Sequence, residues 1–213
     1  MSFRQFHLHP HIESAIQRIG YIKPTPIQLR TIPLILQGRD LMGIAQTGTG
    51  KTAAFALPIL HCLMTGPRRC LRALILAPTR ELTEQIHEAI GTFCRRLSLK
   101  SVAVYGGVSK TPQIQKLRGG VEIVVACPGR LLDLFDQGAI NFSKLDILVV
   151  DEADRMFDMG FLPDIRKILK CLMHPRQTLL FSATTPDDIR RLVREILRNP
   201  VTVQIARTAP ATT

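Results

Sequence analysis

Seven short runs of β-forming residues, at 41–45, 73–76, 101–105, 122–126, 147–150, 178–181 and 201–205, punctuate this chain, with helical spacing between them. Several runs are apolar on consecutive residues, as strands must be when both faces of a sheet are covered. Leu82, Ile86, Ile90, Phe93 and Leu97 form one helical stripe, and Ile189, Leu192, Val193, Ile196 and Leu197 form another. Thr185-Pro186-Asp187-Asp188 predicts the start of the later helix, with a capping residue, a proline at the first helical position and acids in the first turn. Such alternation predicts an α/β fold, a mostly parallel central sheet with helices on both faces. Its ligands should lie outside the carboxyl ends of the strands.

Composition limits the partners. With 46% hydrophobic and 21% charged residues, the 213-residue chain can bury a sizeable core and should not be disordered. Its 28 Lys and Arg against 17 Asp and Glu leave a net charge of +11. That favours a polyanion such as nucleic acid or an anionic membrane surface, the alternative being a basic surface with no partner. Cys62, Cys70, Cys94, Cys127 and Cys171 show no C-x-x-C spacing, which predicts reduced thiols in a cytoplasmic protein. The opening Met1-Ser2-Phe3-Arg4-Gln5 lacks an apolar signal core, and no apolar run approaches the roughly 18 residues of a membrane span. Asn141-Phe142-Ser143 reads as a chance sequon.

Two motifs carry phosphate chemistry. Ala45-Gln46-Thr47-Gly48-Thr49-Gly50-Lys51-Thr52 ends the first apolar run and opens a helical segment. In this P-loop pattern Gly48 and Gly50 let backbone N–H groups approach phosphate, Lys51 neutralises the outer phosphates, and Thr52 offers a hydroxyl to magnesium. Ala45 stands where the strict pattern has Gly, a mild departure because the tight turn depends on the later glycines. Asp151-Glu152-Ala153-Asp154 ends another apolar run, with Asp151 suited to magnesium through water and Glu152 to polarising an attacking water. A glycine-rich turn with nothing bound and a surface Asp-Glu pair are the plain alternatives.

On these motifs and those flanking them the whole chain resembles the DEAD-box ATP-dependent RNA helicases, and within them the bacterial RhlE-type subgroup. The resemblance implies a RecA-like P-loop domain with ATP and Mg2+ as cofactors. Gly20-Tyr21-Ile22-Lys23-Pro24-Thr25-Pro26-Ile27-Gln28 looks like the family's Q motif, with Phe3 as its isolated upstream aromatic. It implies that Gln28 reads the edge of adenine, that Tyr21 stacks on the base and that Lys23 belongs to the same nucleotide site. Thr25-Pro26-Ile27-Gln28 is also a capping box, a role that need not exclude the other. Pro78-Thr79-Arg80 resembles motif Ia, Gly106-Gly107 the GG element, and Cys127-Pro128-Gly129-Arg130 motif Ib, whose usual first residue is Thr. These loops are implied to grip the RNA backbone without reading bases. Ser182-Ala183-Thr184 looks like motif III, which implies hydrogen bonds from Asp154 to Ser182 and Thr184 that couple nucleotide state to duplex opening.

The expected organisation is a Q-motif segment at 1–38, a RecA-like domain at 39–205 and the start of an interdomain linker at 206–213. The family's working enzyme has two such lobes. The His-Arg-x-Gly-Arg-x-x-Arg segment through which the second lobe supplies arginine fingers does not occur in these residues. The chain is therefore expected to be an N-terminal lobe, near-inactive alone, whose partners are RNA and a second lobe and not a membrane. A DNA helicase or other P-loop ATPase lobe, or a nucleotide-gated RNA clamp without catalysis, are the alternatives.

Overall fold

The computed structural model describes residues 2–95, 97–172 and 176–205. The expected strands form as β1 (Leu41–Ile44), β2 (Ala73–Leu76), β3 (Ser101–Val104), β4 (Ile123–Ala126), β5 (Ile147–Val150), β6 (Gln177–Ser182) and β7 (Val201–Gln204). They make one sheet in the order β3-β4-β2-β5-β6-β1-β7, and every pairing is parallel. Leu41 of β1 lies opposite both Leu179 of β6 and Val201 of β7, which sets the register of the strand that leads into the glycine-rich loop.

Parallel neighbours need crossover connections, and helices supply them. The helices are α1 (Pro10–Arg18) and α2 (Pro26–Leu36), which precede β1, and, between strands, α3 (Lys51–Leu63), α4 (Arg80–Cys94), α5 (Thr111–Arg118), α6 (Pro128–Asp136), α7 (Ala153–Asp158), α8 (Leu162–Cys171) and α9 (Asp187–Ile196). Alternate strand side chains point to opposite faces, so the inner strands feed two cores, while the edge strands β3 and β7 feed one each. Ala73, Ile75, Val149 and Phe181 join Ile16, Ile27, Phe55 and Ile86 under α1 to α4. Leu74, Leu76, Leu148 and Leu180 join Leu131, Met156, Ile168 and Leu192 under α6 to α9. All four residues of β2, β4 and β5 are buried, which explains their unbroken apolar character.

The residues before β1 belong to the first core, since Ile12, Ile16, Ile27, Ile32 and Ile35 enter the cluster that holds Phe55. The linker expected at 206–213 lies outside the described residues. One boundary needs correction. Helix α9 begins at Asp187 rather than Pro186, and Pro186 itself holds the capping position with an extended backbone at φ −61 and ψ 166. Thr185 gives no side-chain cap. Its carbonyl accepts from Arg190 Nε at 3.0 Å, while Asp187 and Asp188 complement the positive end of the helix. Among the described residues no helix is long and apolar enough to cross a membrane.

The strand that leads into the phosphate loop is also tightly crowded. A Cβ on Gly43 would come within 2.5 Å of Phe181 Cδ1, and the fully buried Phe181 ring is held against Phe55 at a centroid separation of 5.5 Å. Gly43→Val should therefore cost about 1–3 kcal/mol through overpacking. Phe181→Leu added to it should recover part of that loss. Urea unfolding of both variants checks this, and a cost near zero for Gly43→Val would contradict the close approach.

Candidate nucleotide and nucleic-acid site

Helix α3 starts directly after the glycine-rich loop, and the loop's geometry explains its glycines. Gly48 and Gly50 have φ of 84 and 91, a region that L side chains rarely enter. Gly50 is further constrained by space, because a Cβ there would lie 2.6 Å from Gln28 Nε2. The loop is anchored at its base by Ala45 N donating to Ser182 O at 3.1 Å, and internally by Thr49 Oγ1 donating to Gln46 O at 2.7 Å. Gln46, Thr47 and Gly48 are exposed, and Thr52 is half-buried at the second position of α3. The first-turn N–H groups of that helix have no intrahelical acceptor, which suits an anion.

Gln28 is buried beneath this loop. Its Oε1 accepts from Thr25 N at 2.9 Å, and its Nε2 donates to Gly50 O at 3.1 Å. A primary amide has two N–H donors and an oxygen with two lone pairs, so one donor and one acceptor direction remain after both bonds. Capping and recognition of a base edge are thus compatible in the same side chain. Tyr21 is partly exposed and stacks on Phe3 at 6.1 Å, with Phe93 edge-on at 6.3 Å. Lys23 is exposed beside that aromatic group in sequence.

Lys51 is buried at 6% exposure, and its Nζ makes no hydrogen bond among the described residues. Asp151 Oδ1 stands 3.9 Å away, an ion pair without a hydrogen bond. An ammonium so placed is costly unless an acceptor fills the gap, and phosphate oxygens are acceptors of the right charge. Burial drives the Asp151 carboxyl up to about 6, against the opposing pull of Lys51 and with help from the Glu152 charge. Both charges remain under-compensated, which fits a triphosphate and a divalent cation between them. Glu152 caps α7 with a left-handed backbone at φ 50 and ψ 51, a conformation uncommon outside glycine. Its carboxylate accepts from Thr47 Oγ1 at 3.2 Å and from Arg155 Nη1 at 3.3 Å.

Asp154 knots two strand ends together. Its Oδ2 accepts from Ala183 N at 3.2 Å, Thr184 N at 2.9 Å and Thr184 Oγ1 at 2.9 Å, while its own N–H donates to Ser182 Oγ at 3.3 Å. Partial burial would raise this carboxyl, but the bonds from Thr184 and Ser182 outweigh it and hold the group below its usual range.

Strand order divides the carboxyl edge into two halves. β5, β6 and β1 are neighbours and carry Asp151 to Asp154, Ser182 to Thr184 and the glycine loop. β3, β4 and β2 are neighbours on the other half and carry Gly106-Gly107, Cys127 to Arg130 and Pro78 to Arg80. Thr79 caps α4, its Oγ1 accepting from Leu82 N at 3.2 Å, and Pro78 is buried beneath it. Arg80 is exposed over the Tyr105 ring at 4.9 Å and pairs with Glu84 at 3.4 Å. Tyr105 donates its hydroxyl to the same Glu84, which holds that carboxyl below its usual range. Gly106 and Gly107 are exposed, Gly107 with φ 78. Arg130 Nη2 donates to Val108 O at 3.1 Å and so ties the glycine pair's loop to α6. Cys127 Sγ lies 3.3 Å from Thr83 Oγ1, and burial raises this thiol above its ordinary value.

A family model described as DEAD/DEAH box helicase matches residues 25–192. The chain belongs to the DEAD/DEAH box helicase family. DEAD-box ATP-dependent RNA helicase 24 of Oryza sativa subsp. japonica is 48% identical over 202 residues, which cover 93% of this chain and 26% of that protein. DEAD-box ATP-dependent RNA helicase CshA of Streptococcus pneumoniae is 46% identical over 206 residues, 97% of this chain and 39% of that one. The crystal structure of a hypothetical ATP-dependent RNA helicase from Sulfolobus tokodaii superposes with a TM-score of 0.86 at 42% identity, covering 93% of this chain and 57% of that chain. This family member thus spans well under half the length of those two curated relatives.

Some participants escape a motif-based reading of the family. Arg155 grips Glu152 from one helical turn on, a spacing visible in the sequence once Glu152 is known to cap a helix. Glu84 holds Arg80 at a helical i,i+4 spacing on α4, whereas Tyr105 meets Arg80 from the end of β3, a contact that no local spacing announces.

The raised Asp151 carboxyl has a pH signature. Its folded value lies above the unfolded one, so the folded chain binds the extra proton between about pH 4 and pH 6. Stability should then fall with rising pH across that window by up to about 1.4 kcal/mol per unit on this group's account. A carboxyl-carbon NMR titration should place the Asp151 midpoint near 6, and Lys51→Met should move it higher. A midpoint in the ordinary carboxylate range would contradict the burial argument.

Proposed function

We infer that this chain is the N-terminal, ATP-binding lobe of an ATP-dependent RNA helicase, which opens short duplexes when a second RecA-like lobe completes the site. The observation that carries the reading is the buried Lys51 ammonium, without a hydrogen-bond acceptor among the described residues, beside an under-compensated Asp151. Gln46 to Thr52 would cradle the phosphates, with Lys51 on the outer ones. Thr52 and Asp151 would hold Mg2+, Asp151 through water, and the ion supplies charge neutralisation at the transferring phosphoryl group. Glu152 polarises the attacking water after exchanging its present bonds to Thr47 and Arg155. Gln28 meets adenine with its spare donor and acceptor, Tyr21 stacks on the base, and Lys23 adds positive charge nearby.

Asp154, Ser182 and Thr184 link the nucleotide half of the edge to the strands that carry it. RNA would lie along the other half, against Pro78 to Arg80, Gly106, Gly107 and Cys127 to Arg130. Helix N-termini, glycines and arginines there suit a sugar–phosphate backbone and read no bases. Residues 1–38 act as a Q-motif segment, 39–205 as the RecA-like domain and 206–213 as the start of a linker. Membership of the bacterial RhlE-type subgroup rests on sequence likeness alone. A cytoplasmic setting agrees with Cys62, Cys70, Cys94, Cys127 and Cys171 all being free.

Lys51→Ala should weaken ATP-Mg binding by roughly 100-fold in titration calorimetry, since a buried charge-assisted contact is lost. The fold should survive by circular dichroism, because the substitution removes an unsatisfied buried ammonium. Unchanged affinity would remove the phosphate loop from the proposal.

Arginine fingers contribute about 10³–10⁵ in rate. The 213-residue chain alone should therefore turn over ATP at a small fraction of the rate of a two-lobed protein. In that longer protein Glu152→Gln should keep ATP and RNA binding and stall hydrolysis. Fast RNA-stimulated turnover by the single lobe, or normal turnover with Gln at 152, would sink the respective assignment.

A further inference from the structure

A concentration of unbalanced positive charge lies on the edge of the sheet opposite the candidate site. A cavity of ≈ 490 Å³ opens between the end of α8, the start of β6 and the end of α9. Arg166, Lys170, Arg176, Arg194 and Arg198 line it, and Glu195 is the one acidic residue in the lining among the described residues. Glu195 is already committed, since it accepts two hydrogen bonds from Arg166, at 2.7 and 3.1 Å. Four cations are left around the opening.

Lys170 and Arg194 stand in the last turns of α8 and α9, where helix carbonyls favour positive charge, so these two have an ordinary structural explanation. Arg176 and Arg198 lie outside the helices and have no such explanation. Arg176 Nε is buried and makes no hydrogen bond among the described residues. Burial, and then the Arg198 charge, disfavour its protonated form, with Asp40 opposing them. Asp40 is itself engaged, its two oxygens accepting from Thr178 N at 2.8 Å and Arg198 N at 2.7 Å. A buried guanidinium N–H in a cavity that a second guanidinium also lines lacks an acceptor that a ligand could provide.

We propose that this cavity is a second anion site, which takes a compact ligand bearing adjacent phosphates. Its volume lies within the range of small-molecule sites. Its planar guanidinium donors suit phosphate oxygens. Bound there, the anion would bridge α8 to α9 and β6, the strand that ends in Ser182.

Inorganic tripolyphosphate is the probe, titrated into the Lys51→Ala chain so that the phosphate loop does not compete. Calorimetry should show one saturable site, and the Arg176 side-chain Nε–H resonance should shift along the same isotherm. Arg176→Gln with Arg198→Gln should weaken binding by about tenfold or more. The exposed pair Lys170→Ala with Arg194→Ala, which leaves the core intact, should weaken it in the same direction. Arg18→Ala with Arg118→Ala removes equal charge elsewhere and should leave affinity within about twofold at 0.15 M salt. Competition with a short single-stranded RNA separates the two sources of such phosphates. Displacement identifies a strand backbone as the ligand, and coexistence identifies a free small anion. Absence of saturable binding at millimolar probe, or equal weakening by the distant pair, would overturn the proposal.

Discussion

The constraint from which the rest follows is that every strand of the sheet runs the same way. Parallel strands force each connection to return through a helix, so the carboxyl ends of β1 to β6 each meet a turn and then a helix N-terminus on one edge. Free N–H groups, glycines in left-handed conformations and short acidic turns collect there without any further device. Burial of both faces leaves that edge as the place where polar chemistry is tolerable. Strand order then sorts the chemistry. β1 inserts between β6 and β7, far from β2, so the glycine loop lies beside Ser182 and next but one to Asp151. The loops after β2, β4 and β3 form a separate, adjacent group.

Charge at the centre of the edge is left incomplete. Lys51 and Asp151 are both buried, yet they stand 3.9 Å apart and make no hydrogen bond to each other. A pair that served stability alone would close to contact, because desolvation is repaid only by good geometry. The separation instead keeps an ammonium and a carboxylate available to a third party. Gln28 enforces this arrangement from below, holding the Gly50 carbonyl and thereby the start of α3 that delivers Lys51. Recognition of a base edge by the same amide would bear directly on the loop that cradles phosphate, within the proposed reading.

Much of this arrangement is legible in the amino-acid sequence, and the reasons are physical. β2, β4 and β5 can be placed because strands buried on both faces must be apolar residue after residue, while β3 and β7 show only alternate buried positions in a β-forming run. The proposed phosphate chemistry is legible in Gly48, Gly50 and Lys51 because close approach and charge neutralisation each demand particular residue types. Strand order is not legible, since parallel crossovers of similar length can join several neighbours. The start of α9 differs from expectation by one residue, because a proline serves equally at the cap and at the first helical position. Tyr105 acts through a contact set by tertiary packing, Arg155 through a local spacing that has meaning only once Glu152 is seen to cap α7, and Gln28's hold on Gly50 spans 22 residues of sequence.

Within the proposed reading, a change at bound phosphates would reach the rest of the edge through two links. Glu152 is held from the loop by Thr47 and from α7 by Arg155, so withdrawal of Thr47 toward a ligand would release one side of the carboxylate. Asp154, two residues on, is bound at the same time to Ala183, Thr184 and Ser182. A shift of α7 therefore cannot occur without moving the end of β6 or breaking several charge-assisted bonds. Those bonds hold the Asp154 carboxyl below its usual range, which makes the first course the less costly one. Within the proposed reading, these hydrogen bonds between adjacent strand ends would be the coupling, and a second lobe pressing on α7 or on the turn after Ser182 would sense it.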